Sequence, residues 1–269
     1  MAFISTEAET SDNRDELVRF SHLTRDFNGF RAVDRLNLTV GAGEFFGFLG
    51  PNGAGKSTTI KMAVGLLRPT SGSVRVFGMD PYERPLAVKA RIGVVPEELS
   101  LYERLTGEEA LVFSGRLYGL DPHTAAGRAA DLMEWLGLEE AGSSLIVDYS
   151  KGMKRKIALG CALIHRPKLL FLDEPFSGID PLALKKIKDV LGRMAAEGTT
   201  IFFSSHIMEL VERLCSRIAI LHKGRVHTVG TLEQMREALQ LPSDATLEDV
   251  FVKTVGVPID HEEASWLTS

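Results

Sequence analysis

Residues 50–57, Gly-Pro-Asn-Gly-Ala-Gly-Lys-Ser, fit the pattern GxxxxGK[ST] of loops that bind nucleotide phosphates. The glycines allow backbone N–H groups to close around phosphate oxygens at the start of a helix. Lys56 adds a positive charge, and the Ser57 hydroxyl is suited to Mg²⁺. A plain glycine-rich turn is the alternative, which the strand before the loop and the helix after it disfavour. The candidate phosphate-binding residues are Gly50, Asn52, Gly53, Ala54, Gly55, Lys56, Ser57 and Thr58.

An acidic pair follows a second apolar segment. Residues 169–172 read Leu-Leu-Phe-Leu, and Asp173 and Glu174 come directly after them. Open α/β sheets bind ligands beyond the carboxyl ends of their strands, where Asp173 would hold Mg²⁺ and Glu174 could accept a proton from attacking water. Alone, the pair fits a solvated strand end before the Pro175 turn better. Together with the phosphate loop, it predicts hydrolysis.

A histidine ends a third apolar segment. Residues 199–205 predict a buried strand, and His206 follows on the same side of the predicted sheet as the acidic pair. An imidazole there would donate a hydrogen bond to a γ-phosphate oxygen. A helix cap or a satisfied polar group is the commoner role of a lone histidine, so this prediction depends on the other two motifs.

Apolar stretches that alternate with helix-period segments position these motifs. The alternation predicts an α/β fold with a mainly parallel sheet, and short alternating stretches before residue 41 predict antiparallel strands. No convincing strand falls between Glu98 and Arg166, which indicates a helical insertion. The predicted strands are 36–40, 44–49, 91–95, 168–172, 199–203 and 217–221. The predicted helices are 56–67, 107–120, 125–136, 231–240 and 246–254, the last opened by Thr246 and Asp249.

The composition limits the possible functions. The 269 residues are 44% apolar and 25% charged, which predicts one compact unit with subdomains. A net charge of −5 disfavours a nucleic-acid partner. Cys161 and Cys215 lack zinc or disulfide spacing. Neither a membrane-spanning run nor a signal-peptide pattern is present in the sequence, so we expect a cytoplasmic protein that reaches a membrane through a partner.

The motifs together resemble the ATP-binding cassette family. Residues 149–153, Tyr-Ser-Lys-Gly-Met, occupy the place of the family's Leu-Ser-Gly-Gly-Gln signature and keep only Ser150 and Gly152. Ser150 precedes Asp173 by 23 residues, as in the family, and residues 176–181 resemble its D-loop. The resemblance extends over about residues 17–256. It implies a P-loop NTPase core of mainly parallel sheet with an antiparallel β subdomain and a helical signature subdomain.

The resemblance divides the chain into five parts. Residues 1–15 are expected to form a flexible tail. Residues 16–96 would hold the antiparallel strands and the phosphate loop, 97–166 the helical signature subdomain and 167–230 the rest of the ATPase core. Residues 231–269 are expected to form a C-terminal helical tail.

The resemblance also implies ATP and Mg²⁺ as cofactors and a head-to-tail pair of cassettes, either identical or related chains. Ser150, Gly152 and Asp180 would then touch the nucleotide of the partner cassette. Phe27 is at the position of the ring that stacks on adenine, with Phe30 as a nearby competitor. Core packing is the alternative for either ring.

One residue departs from the family pattern at the metal site. Glu97 stands where the family has the glutamine of its Q-loop, and we expect it near the metal and the attacking water. This replacement and the signature resemble a bacterial branch that powers export through separate membrane subunits, on the inner face of the cell membrane. The candidate contacts with such a subunit are Leu99, Leu101, Tyr102 and Leu105, for which a small local core is an equal alternative.

Three rival functions remain at this point. A soluble cassette ATPase of translation or DNA repair usually carries two cassettes or a long coiled coil, and the sequence has neither. A non-hydrolysing switch module is disfavoured by Glu174 and His206. A small-molecule kinase would leave the signature and the D-loop without a role.

Overall fold

A computed structural model describes residues 16–176 and 179–256 of the chain. The predicted tail at 1–15, the D-loop residues Ser177 and Gly178, and positions 257–269 of the predicted C-terminal tail lie outside the described residues. The strands are β1 (Glu16–Phe27), β2 (Phe30–Gly41), β3 (Phe45–Leu49), β4 (Ser71–Val76), β5 (Ile92–Val95), β6 (Leu169–Asp173), β7 (Thr200–Ser205), β8 (Arg217–His222) and β9 (Arg225–Gly230). The helices are α1 (Lys56–Ala63), α2 (Pro85–Lys89), α3 (Gly107–Leu117), α4 (Pro122–Leu136), α5 (Lys151–Leu163), α6 (Pro181–Ala196), α7 (Met208–Leu214), α8 (Leu232–Ala238) and α9 (Leu247–Val255).

A small antiparallel sheet has the strand order β2-β1-β4. Its first hairpin turns at Asn28 and Gly29, whose φ angles are 44° and 91°. Positive φ at both central residues is the type I′ geometry that matches the twist of a hairpin, and Asn-Gly is the pair that adopts it most easily. The turn therefore places Phe27 and Phe30 opposite each other at the end of the hairpin.

A six-stranded sheet has the order β5-β6-β7-β3-β8-β9 and is parallel except for β9. Its central strands β3, β6 and β7 are buried along their whole length, which explains their nearly unbroken apolar sequences. In register, Leu49 lies beside Ser205, and Asp173 lies beside Ser204. The ends of the three strands that carry the chemical motifs are therefore neighbours in space.

The segment between β5 and β6 is helical, as predicted. Helices α3, α4 and α5 share an apolar cluster that includes Leu111, Met133 and Ile157. Thr106 and Glu109 form a reciprocal capping box at the start of α3, and Asp121 caps α4. This insertion thus has its own core beside the six-stranded sheet.

The α/β fold with a mainly parallel sheet and an antiparallel β unit is confirmed, and several details differ from the sequence prediction. The helix predicted at 56–67 ends at Ala63, because Gly65 adopts a φ of +75° and Tyr82 donates a hydrogen bond to the Met62 carbonyl. Helix α3 ends at Leu117 instead of residue 120, ahead of Gly119 at a φ of +84°. Strands β4 and β9 were not predicted from the sequence.

The two C-terminal helices were predicted correctly. Thr231 and Gln234 form a capping box on α8, and Thr246 and Asp249 form one on α9. Across residues 16–176 and 179–256, every helix is too short or too polar to cross a membrane.

Candidate active site

The phosphate loop, residues 50–57, connects β3 to α1 and depends on two close backbone approaches. A Cβ at Gly50 would lie 2.4 Å from the Leu221 carbonyl oxygen, and one at Gly55 would lie 2.5 Å from that of Ala32. Gly55 also has a φ of +107°, which disfavours any side chain. Glycine is therefore required at both positions by the contacts with β2 and β8.

Lys56 is folded into the loop that precedes it. It is 5% exposed, and its Nζ donates hydrogen bonds to the carbonyl oxygens of Gly50 at 2.7 Å and Pro51 at 3.2 Å. The same ammonium lies 3.5 Å from Glu174 Oε1. A buried cation needs such partners because it has lost its water. The phosphate loop therefore holds a positive charge, and phosphate oxygens can take the place of the two carbonyl oxygens that bind it.

Glu174 is the residue at which the three strand ends meet. Its φ of 47° is left-handed, a conformation that costs a non-glycine residue about 1–2 kcal/mol. The Glu174 N–H donates to the Ser204 carbonyl at 3.2 Å, and His206 Nδ1 lies 2.9 Å from Glu174 Oε1. Ser205 Oγ donates to Oε2 at 3.4 Å. The carboxylate is thus fixed between the lysine of the phosphate loop and the histidine after β7.

Asp173 is buried at the end of β6, and the Ser204 hydroxyl donates to its carboxylate. Burial raises the pKa of Asp173 above its ordinary value, and the nearby carboxylates of Glu97 and Glu174 add to that effect. Hydrogen bonds from Ser204 and Ser57 oppose it by favouring the charged form. A cation beside Asp173 would remove the cost of this buried negative charge.

The oxygen groups of this site suit Mg²⁺. Ser57 Oγ donates to Glu97 Oε2 at 3.0 Å, and the same hydroxyl lies close to Asp173. Hydroxyl and carboxylate oxygens are the ligands that Mg²⁺ prefers, and it retains several waters and phosphate oxygens of its own. Within the described residues no group of three His, Cys, Asp or Glu side chains is placed to hold a metal ion.

A cavity of about 280 Å³ opens over the phosphate loop. Phe27 and Phe30, 39% and 64% exposed, form its apolar wall together with Ala32. The interpretation of either ring as core is therefore wrong. The remaining lining residues are Asn52, Gly53, Ala54, Gly55, Lys56, Ser57, Thr58, Glu97 and Glu174.

A larger cavity, of about 480 Å³, lies between α4 and α6 and contains none of the predicted site residues. Acidic and basic side chains line it together with Trp135 and Val190, and no residue of the phosphate loop contributes to it.

The signature residues are absent from the lining of the phosphate cavity. Ser150 is exposed at the N-cap of α5, where its Oγ accepts a hydrogen bond from the Met153 N–H at 3.2 Å. Asp180 caps α6 by accepting from the Ala183 N–H at 2.8 Å, and Lys156 lies 3.4 Å from its second oxygen. Like them, Gly152 does not line the cavity. The structure therefore leaves Ser150, Gly152 and Asp180 apart from the nucleotide cavity of their own chain.

Three side chains near the site were missed by the sequence analysis. Ser204 and Ser205 were read only as strand residues, although each donates a hydrogen bond to one acid of the pair. The signal was two hydroxyls at the end of an otherwise apolar strand. Arg155 is buried within the electrostatic influence of the same acids, whose charges raise its pKa against the lowering effect of burial, and nothing in its helix distinguished it from the neighbouring surface cations.

The four residues expected at a partner contact divide into two groups. Leu99, Leu101 and Leu105 are partly buried against the apolar clusters of the sheet and the insertion. Tyr102 is 63% exposed and makes an edge-on contact with Phe113, their ring centres 5.1 Å apart. For the three leucines the local-core alternative is therefore correct in part.

The parallel sheet, the phosphate loop and the acidic pair at the next strand end define a P-loop nucleoside triphosphatase. The family model described as ABC transporter matches residues 33–177, and the chain belongs to that family. It is an ATP-binding subunit of an ABC transporter and an ATPase.

Named relatives agree with this assignment. The chain is 42% identical over 222 residues to the daunorubicin/doxorubicin resistance ATP-binding protein DrrA of Streptomyces peucetius, covering 82% of this chain and 67% of DrrA. It is 44% identical over 199 residues to the linearmycin resistance ATP-binding protein LnrL of Bacillus subtilis (strain 168), covering 74% of this chain and 64% of LnrL. The chain thus spans about two thirds of the length of these relatives.

A solved structure of the ATP binding subunit of an ABC transporter has the same fold. It superposes with a TM-score of 0.83 at 35% sequence identity, and the match covers 89% of this chain and 99% of that chain. The resemblance stated from the motifs is therefore confirmed, and the small-molecule kinase is excluded.

Proposed function

We propose that two cassettes, each a copy of this chain or a close relative, close head to tail around ATP and hydrolyse it to drive export through a separate membrane subunit. The observation that carries the proposal is the contact of Glu174 with both Lys56 and His206 at the edge of the phosphate cavity. These three groups are the cation, the acid and the imidazole that γ-phosphate cleavage requires, and they come from three different strand ends.

Binding of ATP replaces the internal partners of the phosphate loop. Lys56 leaves the carbonyls of Gly50 and Pro51 for the β- and γ-phosphate oxygens, and the loop N–H groups point at the same charge. Phe27 or Phe30 stacks on the adenine, since both rings line the cavity. The triphosphate thereby lies with its γ-phosphate toward Glu174.

Hydrolysis then depends on the Glu174 carboxylate, which is released when Lys56 turns to the phosphates. Glu174 orients a water on the γ-phosphorus and accepts its proton, the bond from that phosphorus to the bridging oxygen breaks, and ADP leaves with the electron pair. His206 donates a hydrogen bond to a γ-phosphate oxygen. Bound Mg²⁺ would neutralise developing charge on the phosphates, held by Ser57, Asp173 and Glu97. Glu97 in this position is the point at which the site departs from the family pattern, which has a glutamine.

The second copy completes the site. Ser150 and Gly152 lie at the N-terminus of α5, where unpaired N–H groups and the helix dipole favour a phosphate. Because these residues and Asp180 are absent from the cavity of their own chain, they are free to face the nucleotide of another cassette. A head-to-tail arrangement supplies each cavity with the missing wall, and either a homodimer or a pair of related chains satisfies it.

The contact with the membrane subunit is assigned to an exposed apolar surface on the insertion, formed by Tyr102, Phe113, Leu145 and Val147. Hydrogen bonds from Val147 N–H to the Glu103 carbonyl and from Ile146 N–H to the Leu105 carbonyl bring its two segments together. Leu99, Leu101 and Leu105 are instead partly buried against the apolar clusters of the sheet and the insertion. Exposed aromatic residues of this kind are enriched where proteins bind partners.

The names of two relatives support export as the direction of transport. DrrA and LnrL are resistance proteins by name, and resistance to a toxic compound is served by its removal from the cell. We therefore place this chain on the inner face of the cell membrane as part of an exporter. No basic surface suited to nucleic acid is implied by a net charge of −5.

Glu174→Gln tests the proposal most simply. The amide keeps the size of the side chain but accepts no proton, so we expect steady-state turnover to fall roughly 10²- to 10⁴-fold while ATP binding remains. The trapped ATP should also hold the chains together, which size-exclusion chromatography with ATP and Mg²⁺ detects.

Glu209→Gln is the matched control, because Glu209 is an exposed acid that pairs with Arg213, one helical turn away on α7. We expect it to hydrolyse ATP at the parent rate. Parent-level turnover in Glu174→Gln would remove Glu174 from its role as base.

A further inference from the structure

Arg155 is a buried arginine in α5, the helix that begins at Ser150 of the signature. It is 4% exposed, and its Nε–H has no hydrogen-bond partner within residues 16–176 and 179–256. Arginine is almost never this buried without a paired charge. The hydrolysis mechanism above gives Arg155 no role, so its burial needs a separate explanation.

The guanidinium is tied to the chain just before Glu97. Arg155 Nη1 donates to the Pro96 carbonyl oxygen at 3.1 Å, and the next residue, Glu97, accepts from Ser57 Oγ at 3.0 Å. Arg155 is therefore one peptide unit from the acidic residue that reaches the phosphate loop. No other side chain described in the structure binds the Pro96 carbonyl.

The helix that carries Arg155 lies directly against β5, the strand that leads to Pro96. A Cβ at Gly93 would be 2.2 Å from the Ala162 carbonyl oxygen, so glycine lets the two backbones touch. A shift of α5 must consequently move β5 or break the bond between Arg155 and Pro96, because packed interiors leave no gap to absorb it.

The charges around Arg155 are complementary. Burial lowers the pKa of its guanidinium, whereas the carboxylates of Glu97, Asp173 and Glu174 raise it. A glutamine at position 97 would leave two acids beside this cation, and Glu97 makes three. The extra negative charge near Asp173 and Glu174 is destabilising unless a cation offsets it.

We propose that Arg155 is a positioning residue for Glu97: it holds the Pro96 carbonyl, offsets the added carboxylate, and so fixes Glu97 at Ser57. This inference rests on the proposed function, because it assigns Glu97 to the metal side of the ATPase site. It also links Ser150, which caps the same helix and is assigned to the other cassette's nucleotide, to the metal side of its own cassette.

The test compares the parent with Arg155→Met, Glu97→Gln and the double variant. Met keeps an apolar stem of similar length without the charge or the N–H groups. We expect Arg155→Met to lower kcat roughly 10- to 100-fold and to change the KM for ATP by less than about threefold. Adding Glu97→Gln to Arg155→Met should recover roughly tenfold of that loss, since the uncompensated carboxylate is then gone.

Lys154→Met is the matched control on the same helix. Its Nζ pairs with Glu103 Oε1 at 2.7 Å, at a half-exposed place away from the three acids. We expect parent values of kcat and KM. Arg155→Lys is the second variant for the case in which Arg155→Met does not fold; it keeps the charge and should lose less kcat than Arg155→Met.

Hydrogen–deuterium exchange without nucleotide gives a readout that does not depend on turnover. Amides of residues 97–101 should exchange faster in Arg155→Met than in the parent and Lys154→Met, because the Pro96 anchor is lost. This measurement also separates the two proposals: a parent that fails to hydrolyse ATP contradicts the proposed function but leaves the exchange result to decide on Arg155.

Two results would overturn the inference. One is a folded Arg155→Met, or Arg155→Lys if Met does not fold, with parent kcat and parent exchange at residues 97–101. The other is a double variant whose loss of kcat equals the product of the two single losses, which would mean that Arg155 and Glu97 act independently.

Discussion

The two parts of the molecule assigned to ATP differ in how complete they are within one chain. In the phosphate-loop part, Glu174 contacts both Lys56 and His206, and Ser204 donates a hydrogen bond to Asp173. In the signature part, Ser150 and Asp180 are exposed, and the Ser150 hydroxyl accepts the hydrogen bond that caps its own helix. Lys156 lies beside Asp180, within the same part.

This difference indicates where the free energy of ATP binding is used. The phosphate-loop part is preorganised by strand register and buried contacts, so it needs little rearrangement to receive a triphosphate. The signature part gains its ligand only when a second cassette approaches. Changes in the first part should therefore affect the single chain, and changes in the second should affect only the pair.

The largest expected effect comes from Lys56→Met, which removes the buried positive charge from the phosphate-loop part. We expect ATP turnover to fall by roughly 10³-fold and ATP binding to weaken, because the γ-phosphate loses its direct cation. Steady-state ATPase assays and nucleotide-binding titrations measure both. Lys61→Met, an exposed residue of the same helix, should behave as the parent; equal turnover in the two variants would contradict the assignment of Lys56.

A smaller effect is expected from Asp34→Asn, which tests the scaffold of the phosphate-loop part. The buried Asp34 carboxylate joins β2 to β9: Arg225 Nε donates to it at 2.6 Å and Arg31 Nη1 at 3.2 Å. We expect the free energy of unfolding at pH 7 to fall by about 1–3 kcal/mol. Asp26→Asn, which loses only a half-exposed pair with Arg31, should cost less than about 1 kcal/mol.

The effect of Asp34 should depend on pH in a defined direction. The hydrogen bond from Arg225 holds the pKa of Asp34 below its ordinary 3.8. The stabilisation is therefore complete above pH 3.8 and is lost as the pH falls through the lower, folded-state pKa. Urea unfolding at a series of pH values should show parent and Asp34→Asn converging in acid, and a constant difference would contradict this account.

The phosphate-loop part could be predicted from the sequence better than the signature part, for physical reasons. Buried parallel strands require apolar runs, and each run stops where Asp173, His206 or the phosphate loop begins, so position and chemistry are visible together. The locations of Ser150 and Asp180 came only from a family resemblance. Strand β9 has an alternating, half-exposed sequence, Arg-Val-His-Thr-Val-Gly, that is weak evidence for any strand.

Contacts between distant residues could not be predicted. Arg155 and Lys154 are adjacent cations in one helix, yet Arg155 is buried and bonded to the Pro96 carbonyl while Lys154 pairs with the exposed Glu103. Likewise, Phe27 and Phe30 gave no sign in the sequence of whether they face a core or a cavity. These distinctions depend on packing between elements that are far apart in the chain.

The smallest effect on the isolated protein is expected from Tyr102→Ala. The side chain is exposed and contacts Phe113 at its edge, so stability should change by less than about 1 kcal/mol and ATPase activity should remain. In membranes that contain the partner subunit, transport coupled to ATP should be lost. Leu86→Ala, an exposed residue on α2, is the control; retained coupling in Tyr102→Ala would place the partner contact elsewhere.

The central claim is that each site is divided between two chains, and mixing two inactive variants tests it most directly. Glu174→Gln inactivates the phosphate-loop part, and Ser150→Arg blocks the signature part, so each alone should be nearly inactive. When the two variants are mixed in equal amounts before ATP is added, random pairing gives one half mixed pairs. Each mixed pair has one intact site of its two, so roughly a quarter of the parent number of sites is restored. The account predicts ATPase activity well above the average of the two separate variants, and activity equal to that average would contradict it.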